Sequence, residues 1–281
     1  MKRVLLCTDG SAYSQVCCQY AAWLAGRISC EFEVLYVTDL RQFEVPMVAD
    51  LSGSLGVQPY QAVLSKLQEL ETEKAKLVLQ DAERLLSDVP VSAPTKFTHR
   101  TGFLVDCFQE FEQSADLVVL GKRGENVDFA TGHLGSTMER VVRASHQPCL
   151  VTSRSFQNID RVLLAFDGSK SCHKALQYLV ESPAFRGLEL HVVIVAPRAG
   201  EESALATLRE AESALTAAGQ SPTCQMLHGV PEDEIAAYVA AHGINCLIMG
   251  AYGHSRIRHL VIGSTTTAMM RQCRVPVLLF R

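Results

Sequence analysis

A repeated segment constrains this chain more than any other feature. The run Val4–Ser11 (VLLCTDGS) returns as Val162–Ser169 (VLLAFDGS), at an offset of 158 residues. The pair Gln19-Tyr20 returns as Gln177-Tyr178 at the same offset. Repetition in register over a strand-like run and the segment that follows it indicates that one structural unit occurs twice.

Two further matches lie towards the end of each copy. The segment 120–124 (LGKRG) corresponds to 249–253 (MGAYG) at an offset of 129. The segment 135–137 and the segment 263–265 both read Gly-Ser-Thr, at an offset of 128. The offset therefore falls by 29 residues, from 158 to 129, before the first of these matches, which places extra length in the first copy.

Length and composition agree with two domains. The chain has 281 residues, whereas a domain usually has about 100–150. We assign copy one to residues 1–154 and copy two to residues 158–281. Hydrophobic residues make up 48% of the chain, enough for ordinary cores, and the net charge of −4 disfavours nonspecific nucleic-acid binding.

The sequence predicts a cytoplasmic protein. No run of about 18 apolar residues occurs, so no membrane span is expected. The apolar run at the N-terminus is ended by Asp9, too early for a signal peptide.

Short, continuously apolar runs alternate with longer helical patterns in both copies. This alternation is typical of βαβ units in which a parallel sheet is buried on both faces. The predicted class is therefore α/β, with two tandem doubly wound, Rossmann-like domains, each with a five-stranded mostly parallel sheet in the order 3-2-1-4-5. The strands are predicted at 3–8, 31–37, 96–99, 116–120 and 149–153, and at 161–166, 188–195, 224–227, 245–249 and 276–280.

Helices are predicted between these strands. The longest, 60–88, holds much of the extra length of copy one, and a surface loop is predicted at 41–59. Four leucines of that helix share one stripe: Leu64, Leu67, Leu70 and Leu77. The remaining helices are predicted at 14–28, 106–113, 137–144, 171–180, 201–218, 233–241 and 265–273.

The ten cysteines form no Cys-x-x-Cys pair and no zinc-finger spacing. Cys7, Cys149 and Cys246 lie in strand-like runs, where a thiol acts as a small hydrophobic group. Cys17 and Cys18 are adjacent in a helix, so we expect that they do not both face one core. Reduced, buried thiols are the favoured interpretation, and redox sensing at Cys17 or Cys18 is the alternative.

In a doubly wound sheet, ligands bind at the carboxyl ends of the strands, where the strand order reverses. This places Asp9 and Asp167, which end the first strand of each copy, beside the glycine-rich loop after the fourth strand. A carboxylate there can accept a hydrogen bond from a ribose hydroxyl. The alternative is that Asp-Gly-Ser simply forms a turn or caps the next helix.

The loop of copy two has the spacing Gly-x2-Gly-x9-Gly-Ser. Glycines allow the backbone to approach a ligand closely, and the free amides at the start of the next helix attract phosphate. The intervening segment 254–259 (HSRIRH) is basic, which suits a phosphate neighbour or a merely solvated loop; its two histidines match no common metal spacing. The candidate nucleotide-binding residues are Asp167, Gly250, Gly253, Gly263, Ser264 and Thr265.

An aspartate that ends strand one, followed by this glycine pattern after strand four, resembles the universal stress protein family. The resemblance covers nearly the whole chain, once per copy. It implies ATP as the ligand, with Mg²⁺ as a possible accompanying ion, and it implies pairing through the last strand. In this chain, the runs 148–152 and 276–280 could pair with each other as an intramolecular pseudo-dimer, and a homodimer remains open.

Copy one departs from this pattern, because ten residues instead of nine separate its second and third glycines. Glu125 and Asp128 in that loop oppose a triphosphate, Lys122 and Arg123 partly offset them, and Gly132 adds flexibility. Nucleotide binding is therefore predicted for copy two and left open for copy one. The matching positions of copy one are Asp9, Gly121, Gly124, Gly135 and Ser136.

Three functions remain at this point. The first is an ATP-binding stress-response or regulatory protein that changes the surface presented to an unknown protein partner. The second is a scaffold that binds an apolar ligand or a protein partner and uses no nucleotide. The third is a slow ATPase, although no Walker A loop, Gly-x-Ser-x-Gly elbow or catalytic residue is evident.

Overall fold

The computed structural model describes residues 2–43, 59–87, 93–124, 135–196, 201–251 and 263–281. Most of the loop predicted at 41–59 lies outside these residues. So do Glu125, Asp128 and Gly132 of the first glycine loop and the basic segment 254–259 of the second.

Copy one alternates strands and helices as its sequence predicts. Helix α1 begins at Ala12, two residues earlier than expected, because Ser11 occupies the N-cap position. A short 3₁₀ turn, Leu40–Phe43, follows the second strand. The elements are β1 (Arg3–Thr8), α1 (Ala12–Ala25), β2 (Glu31–Asp39), α2 (Pro59–Ser87), β3 (Thr95–Gly102), α3 (Leu104–Glu112), β4 (Leu117–Gly121), α4 (Ser136–Ala144) and β5 (Cys149–Thr152).

Copy two repeats this order with a shorter second helix. A 3₁₀ turn, Pro183–Phe185, precedes its second strand. The elements are β6 (Arg161–Ala165), α5 (Lys170–Glu181), β7 (Glu189–Val195), α6 (Glu201–Ala217), β8 (Thr223–Leu227), α7 (Pro231–Ala241), β9 (Cys246–Gly250), α8 (Ser264–Gln272) and β10 (Val277–Phe280).

All ten of these strands form one sheet in the order β3-β2-β1-β4-β5-β10-β9-β6-β7-β8. Within each copy the neighbours are parallel, and the order 3-2-1-4-5 predicted from the sequence is confirmed. The last strands pair antiparallel, with Leu278 opposite Leu150. The two copies therefore meet edge to edge, and the apolar edge of each covers that of the other.

Apolar side chains of the strands alternate between two layers of core. In β1, Val4 and Leu6 pack in the layer with α1, α2, α5 and α6, whereas Leu5 packs in the layer with α3, α4, α7 and α8. Each layer continues from copy one into copy two. Burial on both faces explains why the strands read as continuous apolar runs.

The expectation for Cys17 and Cys18 is wrong. They are 2% and 4% exposed, and both belong to the same core layer. Helix α1 contacts the sheet on one side and α2 on another, so its buried face is wider than that of a surface helix. Burial raises the pKa of both thiols, that of Cys18 to about 12, which disfavours the thiolate that redox sensing needs.

Three leucines of the predicted stripe on α2 face outward, and the side chain of the fourth, Leu64, lies outside the described part of the structure. Leu67, Leu70 and Leu77 are 39%, 57% and 64% exposed, whereas Ala75 and Ala82 face the protein. The shorter α6 of copy two buries Leu208 and Leu215 instead. Within the described part of the chain, no helix combines the length and apolar character needed to cross a membrane.

Candidate functional site

The first strand of each copy ends in the same aspartate turn. The amide of Ser11 donates to Asp9 Oδ1 at 3.0 Å, and the amide of Ser169 donates to Asp167 Oδ1 at 2.9 Å. One carboxylate oxygen in each copy therefore stabilises the turn, as the structural alternative for these residues predicts.

Glycine is required after each aspartate. Gly10 and Gly168 have φ angles of +80° and +71°, which residues with a side chain rarely adopt. A side chain would also be crowded, since a Cβ on Gly10 would lie 2.6 Å from Val78 Cγ2 and one on Gly168 would lie 3.0 Å from Thr207 Cγ2. Each turn thus lies against the second helix of its own copy, α2 or α6.

In copy two, the end of β9 packs tightly against the start of α5. A Cβ on Gly250 would lie 2.4 Å from Ser171 Oγ. Ser171 Oγ is in turn 3.1 Å from Ser169 Oγ, and Ser169 is the residue whose amide contacts Asp167. The structure therefore connects Gly250 to the Asp167 turn through two serine side chains.

The same corner includes the start of α8. The amide of Gly263 donates to the carbonyl of Ala251 at 3.2 Å. Thr266 Oγ1 lies 3.2 Å from the carbonyl oxygens of both Gly250 and Ala251, to which it donates. Gly263 is the N-cap and provides no side chain to cap the helix, so the amides of the first turn are available to an anion. Ser264 is exposed and Thr265 half-buried beside them.

Copy one builds the same corner with different contacts. Ser14 Oγ donates to Asp9 Oδ1 at 2.7 Å and accepts from the Asp9 amide at 2.9 Å. Cys172 takes the place of Ser14 in copy two. The second oxygen of Asp9 faces the glycine loop, because a Cβ on Gly124 would lie 2.6 Å from Asp9 Oδ2. The prediction that the strand-one aspartate lies beside the loop after strand four is thus confirmed in copy one.

The remaining glycines of copy one are also closely packed. A Cβ on Gly121 would lie 2.7 Å from Tyr13 Cβ, and one on Gly135 would lie 3.3 Å from the Lys122 carbonyl oxygen. The amide of Gly135 donates to that carbonyl at 3.3 Å, as Gly263 does in copy two. Gly135 is the N-cap of α4, so Ser136 begins that helix as Ser264 begins α8.

An ion pair borders the corner of copy one. Arg140 Nη2 on α4 donates to Asp39 Oδ2 at the end of β2, at 2.8 Å. Burial alone would raise the pKa of Asp39, but the hydrogen bond and charge of Arg140, with the amide of Arg41, hold it below its ordinary value. Arg140 Nε is buried without a hydrogen-bond partner among the described residues. In copy two, Ala268 corresponds to Arg140.

The side chain of Lys122 reaches from copy one to copy two. Its Nζ donates to the carbonyl of Cys273, in copy two, at 2.9 Å. Burial lowers its pKa to about 8. Lys122 therefore contacts the other copy, while Glu125 and Asp128, whose charges it was predicted to offset in part, lie outside the described residues.

The structure thus brings together the predicted Asp167, Gly250, Gly263, Ser264 and Thr265. Gly253 lies outside the described residues. Sequence reasoning missed Thr266, although its place two residues after Ser264 on the same helix offered a signal. Sequence reasoning also missed the ion pair of Asp39 and Arg140, two residues that lie 101 positions apart in the chain.

Comparison with known proteins identifies both halves of the chain. A family model described as "Universal stress protein family" matches residues 1–153 and again residues 158–281. Universal stress protein Slr1230 of Synechocystis sp. is 44% identical over 288 aligned residues, which cover all of both chains. Universal stress protein MJ0531 of Methanocaldococcus jannaschii is 27% identical over 54% of this chain and 82% of its own length.

A solved structure shares the tandem fold. The crystal structure of a universal stress protein from Archaeoglobus fulgidus superposes with a TM-score of 0.72 and covers 99% of this chain and 98% of its own. Its sequence is 24% identical, so the likeness concerns the fold.

Proposed function

This chain belongs to the universal stress protein family, and we propose that it is an ATP-binding stress-response protein whose nucleotide is held by copy two. The observation that carries the proposal is the corner formed by the Asp167 turn, Gly250 and the start of α8. A carboxylate, a backbone without room for a Cβ and a helix start without a side-chain cap lie together there.

Each part of this corner suits one part of a nucleoside triphosphate. Asp167 would accept a hydrogen bond from the ribose. The amides at the start of α8, with Ser264 and Thr265, would donate to phosphate oxygens. Gly250 has no side chain and would let the phosphates approach the backbone closely. The carbonyl of Gly250 would be held away from the phosphates, because it accepts a hydrogen bond from Thr266.

Mg²⁺ would enter with the phosphates. The described residues contain no group of three or more His, Cys, Asp or Glu side chains suited to a metal ion. Such an ion would therefore be held mainly by the nucleotide and water. ATP itself supplies the phosphate charge that the protein recognises.

The proposed action is a shift between conformations. ATP that binds the start of α8 stabilises the arrangement in which α8, β9 and α5 are in contact. A partner that recognises this arrangement would then bind the loaded protein more tightly, by the differential affinity of ATP for the two states.

The decisive variant is Gly263→Asp, with Gly263→Asn as its matched control. Asp and Asn are both preferred N-cap residues, so both variants keep α8 folded. Only Asp places a negative charge where the phosphates would lie. We expect calorimetric titration with ATP to give an affinity at least about tenfold weaker for Asp than for Asn. Equal affinities in the two variants would contradict the proposal.

A second candidate is a scaffold for a protein partner. It is favoured by the exposed Leu67, Leu70 and Leu77 of α2, which copy two lacks. Sedimentation velocity would compare the wild type with a variant in which all three are glutamine. A self-associated wild type and a monomeric variant, both without affinity for ATP, would favour this function over the first.

A further inference from the structure

Each copy directs one basic side chain to the other copy, near the place where β5 pairs with β10. Lys122, which follows β4, donates to the carbonyl of Cys273, the C-cap of α8. Arg281, which follows β10, donates from Nη1 to the carbonyl of Arg143 in the last turn of α4, at 2.9 Å. Each basic group therefore contacts the C-terminal end of the helix that begins at the other copy's Gly-Ser.

Lys122 is the more firmly placed of the two. Its amide donates to the carbonyl of Thr152 in β5, and its carbonyl accepts from the amide of Gly135, each at 3.3 Å. Its side chain is half-buried, whereas the Arg281 contact is exposed. The backbone of Lys122 is thus hydrogen-bonded within copy one, at the start of its glycine loop, while its ammonium group contacts the end of α8 in copy two.

A cation beside the carbonyl of Cys273 stabilises α8 from its C-terminal end. The last carbonyls of a helix lack partners and carry partial negative charge, so a cation beside them stabilises the helix. Helix α8 has nine residues, a length of about 13 Å. Because the helix is so short, the order of its last turn and that of its first turn are closely linked.

We propose that Lys122 is a positioning residue for the start of α8 and thereby couples the glycine loop of copy one to the candidate site of copy two. This inference rests on the proposed function for its effect on ATP. A rearrangement of the first loop, by a ligand or a mutation, moves the ammonium group and loosens α8. The corresponding position in copy two is Ala251, so no lysine reaches back from the second glycine loop, and the reciprocal cation, Arg281, follows β10 instead.

The coupling depends on pH. Burial lowers the pKa of Lys122 to about 8; the nearby Cys273 thiol raises it and Arg123 lowers it further. Arg271 in the last turn of α8 also carries positive charge at that end. As pH rises through about 8, Lys122 loses its proton, and the attraction between its charge and the helix end is lost.

The experiment uses full-length Lys122→Met and Lys122→Arg. At pH 7, we expect Lys122→Met to bind ATP about fivefold more weakly, which corresponds to the roughly 1 kcal/mol typical of a cation at a helix C-terminus. Lys122→Arg keeps the cation and is expected to bind within about twofold of the wild type. Between pH 7 and pH 9 the wild type should weaken relative to Lys122→Arg, since arginine stays charged.

Amide hydrogen exchange provides a second readout without nucleotide. We expect the amides of α8 to exchange faster in Lys122→Met than in the wild type, while those of α4 are unchanged. In Lys122→Arg, we expect both helices to exchange as in the wild type. If α8 exchanges alike in all three proteins, the inference is overturned whether or not ATP binds. If the wild type fails to bind ATP but α8 loosens in Lys122→Met, the proposed function fails and the positioning role stands. Equal ATP affinity in wild type and Lys122→Met would overturn the coupling alone.

Discussion

Copy one and copy two build the same corner from one backbone plan but hold it with different side chains. In copy two, hydroxyl groups predominate: Thr266 and Ser171 pack against the end of β9. In copy one, charged groups border the corner, with Arg140 paired to Asp39 and Lys122 directed to the other copy. The two halves share the backbone arrangement of the described corner, while the side chains around it differ.

This difference suggests a division of roles. In copy two, the described hydroxyl groups and the amides at the start of α8 offer hydrogen-bond donors to phosphate. A corner whose cations already have partners is better suited to structure or to control. Four substitutions can break or sharpen this comparison, from the largest expected effect to the smallest.

The largest effect is expected from exchanging the residue of α4 that corresponds to Thr266 of α8. Met138 of copy one corresponds to Thr266 and is 2% exposed in the core. Met138→Thr leaves a cavity and buries a hydroxyl, so we expect a loss of about 3 kcal/mol in the free energy of unfolding. Urea denaturation measures it. A loss below about 1 kcal/mol would show that copy one can adopt the hydroxyl arrangement of copy two.

The ion pair should give the next effect. Arg140→Met leaves the carboxylate of Asp39, 11% exposed, without its cation and should cost about 2 kcal/mol at pH 7. Because the pKa of Asp39 is lowered in the folded protein, its contribution is present above the ordinary aspartate pKa of about 3.9 and is lost as pH falls through the lower folded value. Unfolding between pH 6 and pH 3 should therefore be less pH-dependent in Arg140→Met. An unchanged pH profile would contradict this account.

A smaller effect is expected from the hydrogen bonds that hold Asp9 in copy one. Ser14 contacts both the amide and the carboxylate of Asp9. Ser14→Cys, which copies the residue of copy two, should cost about 1 kcal/mol. Thermal unfolding measures the change, and Cys172→Ser is the reciprocal variant. Equal stabilities of wild type and Ser14→Cys would mean that the serine contacts give copy one no stability beyond what the cysteine of copy two provides.

The smallest effect is expected on the outer face of α2. Leu70 is 57% exposed, so Leu70→Gln should change the free energy of unfolding by no more than about 0.5 kcal/mol. Unfolding should be followed at two protein concentrations. A larger loss that grows with concentration would show that this leucine is buried against another molecule.

The repeat and the apolar runs predicted most of the fold. Strand order 3-2-1-4-5 followed from parallel topology, and every predicted strand was found within a few residues, because buried strands leave a strong apolar pattern. The burial of Cys17 and Cys18 was missed, since a periodic pattern does not show how many elements surround a helix. The cross-copy contact of Lys122 was missed because no local motif records which residues meet across β5 and β10.

The candidate site was only partly predictable for the same reason. Glycine spacing and the Asp-Gly-Ser turn pointed to the backbone of the corner. Thr266 and Arg140, which hold it, depend on how a helix is rotated against the sheet. That rotation is set by packing in the core layers, not by the spacing of the motif.

The most direct test of the account is the number of ATP molecules bound per chain, measured by calorimetry on nucleotide-stripped protein. It should be measured for the wild type, for Gly263→Asp and for Gly135→Asp, which places the same charge at the start of α4. The account predicts one ATP per chain, lost in Gly263→Asp and kept in Gly135→Asp, where a disturbed Lys122 would weaken the affinity by no more than about fivefold. Loss in Gly135→Asp alone, or no binding by the wild type at millimolar ATP, would contradict it.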